Sequence, residues 1–402
     1  MIFHRVQNIL FAIVLALFLV GCKNSSPSNT FVPQVTAPEG PFSESEKSYL
    51  YDLFLTEYYW YEHTPQPFDY TPYTSPQPMI DDLKYAALDR WSFALTRQDY
   101  DNFSVQRTSG FGFGFTTDLI VYLVRINSPA ESAGLRRGDK IISINGQAAT
   151  SQLIRETSNS LDQQTHFTVD RFGTQVDIDI TAQYYNYRVV DSRILQTDGG
   201  NSVAYLRLDS FTDSATDELE SVFTSFKNHQ IDKLVIDLRY NPGGLLNTAS
   251  ILMDKIGRDY NGNIQCSLEW NDQNSNQNET LLFDSLDPNS LSLKKLVFLT
   301  TEGSASASEL VINGMKPYMQ DDMAIVGTRT HGKPVGMAGR SSGSYVYFLI
   351  NFVVKNVDGF NDYFDGLAPD CSVADDDYGH QLGDPNEALL REALYYIDNG
   401  HC

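Results

Sequence analysis

Hydrophobic positions change their period along the chain, and the changes mark its parts. Ile9 to Val20 is an unbroken apolar run of twelve, too short for an ordinary bilayer span and of the length of a signal-peptide core. From Ser43 to about Asn102, Tyr49, Leu50, Leu53, Phe54, Tyr58 and Trp60 recur at helical spacings. A second helical stretch is expected through Asp81 to Leu95, after the proline-rich Thr64 to Pro78. This predicts a small helical N-terminal domain over 43–102, whose aromatics pack as core. The block 103–189 opens with the glycine-punctuated Ser109 to Phe115 and runs into apolar Leu119 to Ile126, a β pattern.

After Val189, strand-like runs (Val203 to Leu208, Leu234 to Leu238, Leu296 to Thr300, Met323 to Gly327) alternate with helical ones (Ser214 to His229, Leu245 to Ile256, Ser306 to Gln320). Such alternation predicts βαβ units around a buried, largely parallel sheet. Asn271 to Thr280 lacks periodicity and is expected as a mobile polar loop. The tail through Tyr345 to Ile350 and on to Tyr395 is expected to add one or two strands and a closing helix.

Composition narrows the class. The 402 residues, 42% hydrophobic, can build two or three packed domains. Arg and Lys number 29 against 51 Asp and Glu, a formal charge of -22, which repels nucleic acid. Leu19-Val20-Gly21-Cys22 closes the apolar run as a bacterial lipobox does. The expectation is a lipoprotein signal peptide over 1–21, acylation of Cys22, a linker over 22–42, and a protein exported to the cell envelope on a lipid anchor. Cys266, Cys371 and Cys402 then allow one disulfide and a free thiol, or three thiols. No His-x-x-x-His or Cys-x-x-Cys occurs, so no metal site is expected.

Two segments carry candidate chemistry. Asp237-Leu-Arg-Tyr-Asn-Pro-Gly-Gly244 and Gly303-Ser-Ala-Ser-Ala-Ser-Glu309 each follow an apolar strand and open a helix, leaving backbone N–H groups free to face a substrate. The arrangement suits acyl transfer, with Ser306 as nucleophile and Ala307 and Gly244 N–H as oxyanion donors, Gly243 being the fallback. Ser304 and Ser308 are the neighbouring hydroxyls, and any of the three could simply cap the helix with Glu309. Lys333 in Gly332-Lys-Pro334 is the candidate base, provided that burial lowers its pKa towards 7 or 8. His331 is the rival base. Gly327-x₄-Gly332-Lys333 is almost a phosphate loop, but Pro334 stands where Ser or Thr would hold Mg²⁺. No cofactor is implied.

Together the glycine-rich block with Ser128-Pro-Ala and Gly134-Leu-Arg-Arg-Gly-Asp139, the Asp-Leu-Arg-x-Asn-Pro-Gly-Gly and Gly-Ser-Ala-Ser-Ala-Ser-Glu segments, and Gly332-Lys333 resemble the S41 carboxyl-terminal processing serine peptidases, in their Bacteroidota lipoprotein branch. The resemblance covers about Phe103 to Pro369. It implies a multidomain α/β chain: a Clp-protease/crotonase-like core at 190–402, an inserted PDZ domain at 103–189, and a Ser306–Lys333 dyad. Gly110, Phe111, Gly112, Phe113 and Gly114 would hold substrate C-termini. Many members of that family carry Gln four residues after the lysine, where this chain has Met337. Protein or peptide substrates with accessible C-termini are the expected partners, the oligomeric state being open. Two other readings stand beside it: a PDZ and degenerate-core scaffold that only binds peptides, and a hydratase-like enzyme with a carboxylate base.

Overall fold

Ser43 caps the first helix. Glu46 N–H donates to its Oγ at 3.3 Å while its own N–H donates to Glu46 Oε2 at 2.8 Å, the reciprocal box that fixes a helix start. In the computed structural model, which describes residues 42–104 and 107–402, this opens α1 (Glu44–Thr56), followed by α2 (Pro76–Leu83), β1 (Phe93–Thr96) and α3 (Arg97–Ser104). The expected signal peptide 1–21, Cys22 and all but the last residue of the linker lie outside the described residues. The helix expected over Asp81 to Leu95 stops at Leu83. Lys84 turns extended at ψ 152° and Tyr85 N–H donates to Tyr58 Oη at 3.0 Å; further on, the buried Asp89 carboxylate accepts Trp91 N–H and Ser92 N–H, both at 2.9 Å, and Ser92 Oγ at 2.5 Å. Such local bonds compete with helix.

The glycine-rich block forms β2 (Arg107–Gly110) and β3 (Phe113–Phe115), then β4 (Val121–Val124), α4 (Pro129–Ser132), β5 (Lys140–Ile144), β6 (Gln147–Ala148), α5 (Ser151–Asn159), β7 (Gln164–Arg171), β8 (Thr174–Thr181) and β9 (Gln183–Asn186). β5, β7 and β8 pair antiparallel, and their inward positions meet α5 in a small core of Phe111, Ile141, Ile154 and Phe167.

The remainder runs β10 (Val190–Gln196), β11 (Ser202–Leu208), α6 (Asp213–Asn228), β12 (Lys233–Asp237), α7 (Leu246–Ile256), β13 (Ile264–Trp270), β14 (Glu279–Leu282), β15 (Lys295–Thr300), α8 (Ala307–Met319), β16 (Met323–Gly327), β17 (Val335–Ser342), β18 (Tyr345–Lys355), β19 (Cys371–Ser372) and α9 (Ala388–Asn399). One sheet has the order β10-β11-β12-β15-β16-β19, parallel throughout except for the β10–β11 edge pair. Alternate residues reach opposite faces: Leu206, Ile236 and Phe298 pack towards α6, α7 and α8, while Tyr205, Val235 and Val297 pack against α9. Both faces are covered, as an apolar parallel sheet requires.

A second sheet, β1-β18-β13-β14 with β17 also on β18, is antiparallel. Its first strand comes from the N-terminal segment, with Phe93 opposite Phe348, and Phe54, Leu83 and Phe93 share one core with Met337, Tyr347 and Ile350. The segment expected as a helical domain over 43–102 thus shares its core with β17 and β18 and adds a strand to their sheet, and the glycine-rich block is inserted between β1 and β10. The expected loop Asn271 to Thr280 is also structured. Its 3₁₀ turns over Asp272–Gln277 are pinned by Asn271 Nδ2, which donates to Thr56 O and Tyr58 O at 3.0 Å each. Cys371 and Cys402 form a disulfide, while Cys266 is a buried thiol that burial pushes up to about 12.

Candidate active site

Three serines lie between β15 and the body of α8, and hydrogen bonding sorts them. Ser304 Oγ donates to Leu238 O at 2.7 Å and Ser308 Oγ to Asn241 O at 3.0 Å. Both are fully buried and tie the helix start to the loop after β12. Ser306 instead lines a cleft of about 340 Å³ with Gly244, Ala307, Leu310 and Lys333. Its backbone sits at φ 56°, ψ -109°, a strained conformation for a residue with a Cβ. Of the three serines, the middle one is the one that lines the cleft.

Lys333 is 1% exposed. Its Nζ has a thioether partner, Met337 Sδ at 3.5 Å, and stands 5.9 Å from the centre of the Trp91 ring. Sulfur is a weak acceptor. Burial therefore pulls the ammonium from its ordinary 10.5 down to about 7, against the opposing pull of Asp89 and Glu309. His331 is less suited to the same task. Its Nε2 accepts the Trp91 indole N–H at 3.2 Å, and burial, with Arg90 and Lys333 nearby, lowers its pKa to about 4.

The loop after β12 supplies the opposite wall. Arg239, 1% exposed, is clamped by Asp237, Asp375 and Glu387. Asn241 donates from Nδ2 to Leu208 O at 2.8 Å and accepts Gly243 N–H on Oδ1 at 2.9 Å. That second bond removes Gly243 as the fallback oxyanion donor, because its N–H is already used. Gly244 passes so near Phe211 that a Cβ would fall 2.1 Å from the Phe211 carbonyl oxygen, at φ +143°. Its N–H and that of Ala307 have no acceptor among the described residues, and both residues line the cleft. Two free peptide N–H groups beside a helix N-terminus are suited to a developing oxyanion.

Glu309, a simple helix cap by its spacing, does more. It is fully buried and accepts four hydrogen bonds: Ser306 N–H at 2.9 Å, Lys333 N–H at 2.8 Å, and Gly332 N–H and Thr330 Oγ1 at 2.6 Å each. A carboxylate so occupied has no lone pair left to act as base, which weakens the hydratase-like reading. The cap motif in the sequence pointed to Glu309 but not to its partners before β17. Trp91 and Asp89, which reach the lysine from the N-terminal segment, carry no motif.

In the inserted block, Gly110 pairs within β2 opposite Gln183. Phe111 is 1% exposed, with its N–H donating to Ser158 Oγ at 3.3 Å. Its ring is core, so the expected peptide-contacting role of this side chain is corrected. Phe113 is half-buried and stands on β3 with Gly114, and Gly112 lies beside them, its Cβ position 2.3 Å from Ser128 Cβ. Among the described residues β3 pairs only with β4, so its other edge can accept an extended peptide.

Ser306 at a helix start, the buried Lys333 lining the same cleft and two free N–H groups are the kinds of group that acyl transfer uses. Residues 202–373 match peptidase family S41, and residues 120–171 match a PDZ domain; the chain carries an S41 peptidase domain with an inserted PDZ domain. A carboxy-terminal-processing protease of Bartonella bacilliformis is 29% identical over 217 residues, covering 52% of this chain and 47% of that protein. A "Probable CtpA-like serine protease" of Staphylococcus aureus is 26% identical over 317 residues, covering 73% and 58%. The chain thus spans about half to three-fifths of the length of these relatives. Among solved structures, one assigned to the S41 proteases from Bacteroides fragilis superposes with a TM-score of 0.74 at 24% identity, covering 87% of this chain and 96% of that one. The photosystem II D1 C-terminal processing protease gives 0.54 at 19%, covering 88% and 98%. These two likenesses are of fold.

Proposed function

We propose that this chain is a serine endopeptidase of the cell envelope that cleaves unfolded or C-terminally recognised proteins. Ser306 attacks the scissile carbonyl, Lys333 takes the proton and returns it to the leaving amine, and Gly244 and Ala307 N–H hold the oxyanion. One observation carries the reading: a fully buried amine with a pKa of about 7 shares a cleft with a strained serine. The unpaired edge of β3 supports recognition of a substrate tail by the PDZ domain. The relatives' names support the same chemistry.

Digestion of casein by the purified chain is the test, with products read by mass spectrometry. Ser306→Ala and Lys333→Ala should each lower kcat/KM on the order of 10⁴-fold or more; cleavage that survives both would defeat the proposal. Export and anchoring through Cys22 belong to the same proposal, and rest on the lipobox. Cys22→Ser should move the protein from the membrane fraction to the soluble one. A peptide-holding scaffold without hydrolysis is the second reading, favoured because the hydrogen-bond partner of Lys333 Nζ is Met337 Sδ. Tail binding without Ser306-dependent cleavage would select it.

A further inference from the structure

We infer that Glu309 is the positioning residue of this site: one of its carboxylate oxygens holds the peptide N–H of the nucleophile and that of the base, and so sets how far Ser306 stands from Lys333. The inference rests on the serine–lysine reading above. Oε2 accepts both Ser306 N–H at 2.9 Å and Lys333 N–H at 2.8 Å, while Oε1 accepts Gly332 N–H and Thr330 Oγ1 at 2.6 Å each. Thr330 Oγ1 itself accepts Leu367 N–H at 2.7 Å, which directs its proton to Glu309.

Four donors thus converge on two oxygens, and a proton on a neutral carboxyl would have nowhere to go. The group is a buried carboxylate held by hydrogen bonds and by the α8 N-terminus, and bonds to a charged acceptor are the strong kind. Helix capping accounts for the Ser306 N–H bond alone. The other three donors come from the segment 330–333, which the helix does not need. They join two loops that are remote in sequence, and the Ser306 bond holds a backbone that would otherwise relax from φ 56°.

The test compares the full chain with Glu309→Gln in two assays across pH: labelling of Ser306 by a fluorophosphonate and cleavage of casein. Glutamine keeps the size but offers one oxygen, and its NH₂ must face either the Ser306 and Lys333 N–H groups or the Gly332 N–H and the Thr330 hydroxyl. The expected result is a fall in kcat of about 10²-fold, the cost of a misplaced reacting group, with KM little changed and labelling slowed in parallel. The acid limb should also move to lower pH. Asp89 and Glu309 are the anions that favour the Lys333 ammonium, and His331 is the neighbouring titratable group; the substitution removes one anion and leaves the other two groups in place. Packing damage alone lowers the folded fraction without moving that limb.

Equal kcat and equal labelling in Glu309→Gln would overturn the positioning role and leave the hydrolase reading intact. A wild type with no Ser306-dependent labelling or cleavage would overturn that reading and this inference with it. If Glu309→Gln does not fold, Thr330→Val removes a single bond of the four. A several-fold lower kcat at unchanged KM would then support the role, and an unchanged kcat would overturn it.

Discussion

Lys333 is a base only when neutral, and its surroundings decide at what pH that happens. With a pKa of about 7, the active fraction rises with pH through neutrality, so kcat/KM should fall about tenfold per pH unit below it; a profile flat from pH 5 to 8 would contradict this. Met337→Gln places an amide oxygen where a thioether now meets the amine. An acceptor for the ammonium favours the charged form, so the acid limb should move to higher pH, as a pH–rate profile would read. Gly244→Ala tests the opposite wall. A methyl group 2.1 Å from the Phe211 carbonyl oxygen displaces the donor peptide, and kcat should drop about 10²-fold or more.

The loop after β12 and the strands of the PDZ domain divide positioning from recognition. Asn241→Ala deletes one acceptor and one donor inside the loop, leaving buried groups unpaired at about 1–3 kcal/mol each; both the melting temperature and kcat should fall. Phe111→Asp puts a charge into a closed core and should unfold the PDZ domain. Phe113→Asp, on half-buried β3, should instead raise KM for tailed peptides with little change in melting temperature. The sheet of the core was legible because each buried strand was a continuous apolar run beside glycine and serine turns. β1 was not, since Trp91, Phe93 and Leu95 alternate at a period of two beside a helical pattern and their partner Phe348 lies far along the chain. Ser306 and Lys333 sit in local motifs and could be read. The four-way bonding of Glu309 and the approach of Trp91 depend on tertiary meetings that no spacing records.

Across the whole molecule, buried ion pairs join the PDZ domain to the loop after β12. Arg137, 2% exposed, donates to Tyr240 Oη at 2.7 Å and Asp375 Oδ1 at 3.0 Å, and Asp375 also meets Arg239 at 3.1 Å. Removing one partner from such a network strands the other charges, so Arg137→Ala should cost about 3–5 kcal/mol by chemical denaturation. The Cys371–Cys402 link closes a stretch of sequence separation 31 around α9, the helix that covers one face of the parallel sheet. Cys402→Ser should lower stability by about 3–4 kcal/mol, and a thiol reductant should do the same to the unmodified protein. A cross-link of this kind survives only where glutathione and thioredoxin do not keep sulfur reduced. Chains made in a reducing cytosol would emerge unstapled and easier to melt, whereas the same polypeptide matured outside that compartment would gain its full heat resistance only after crossing a membrane.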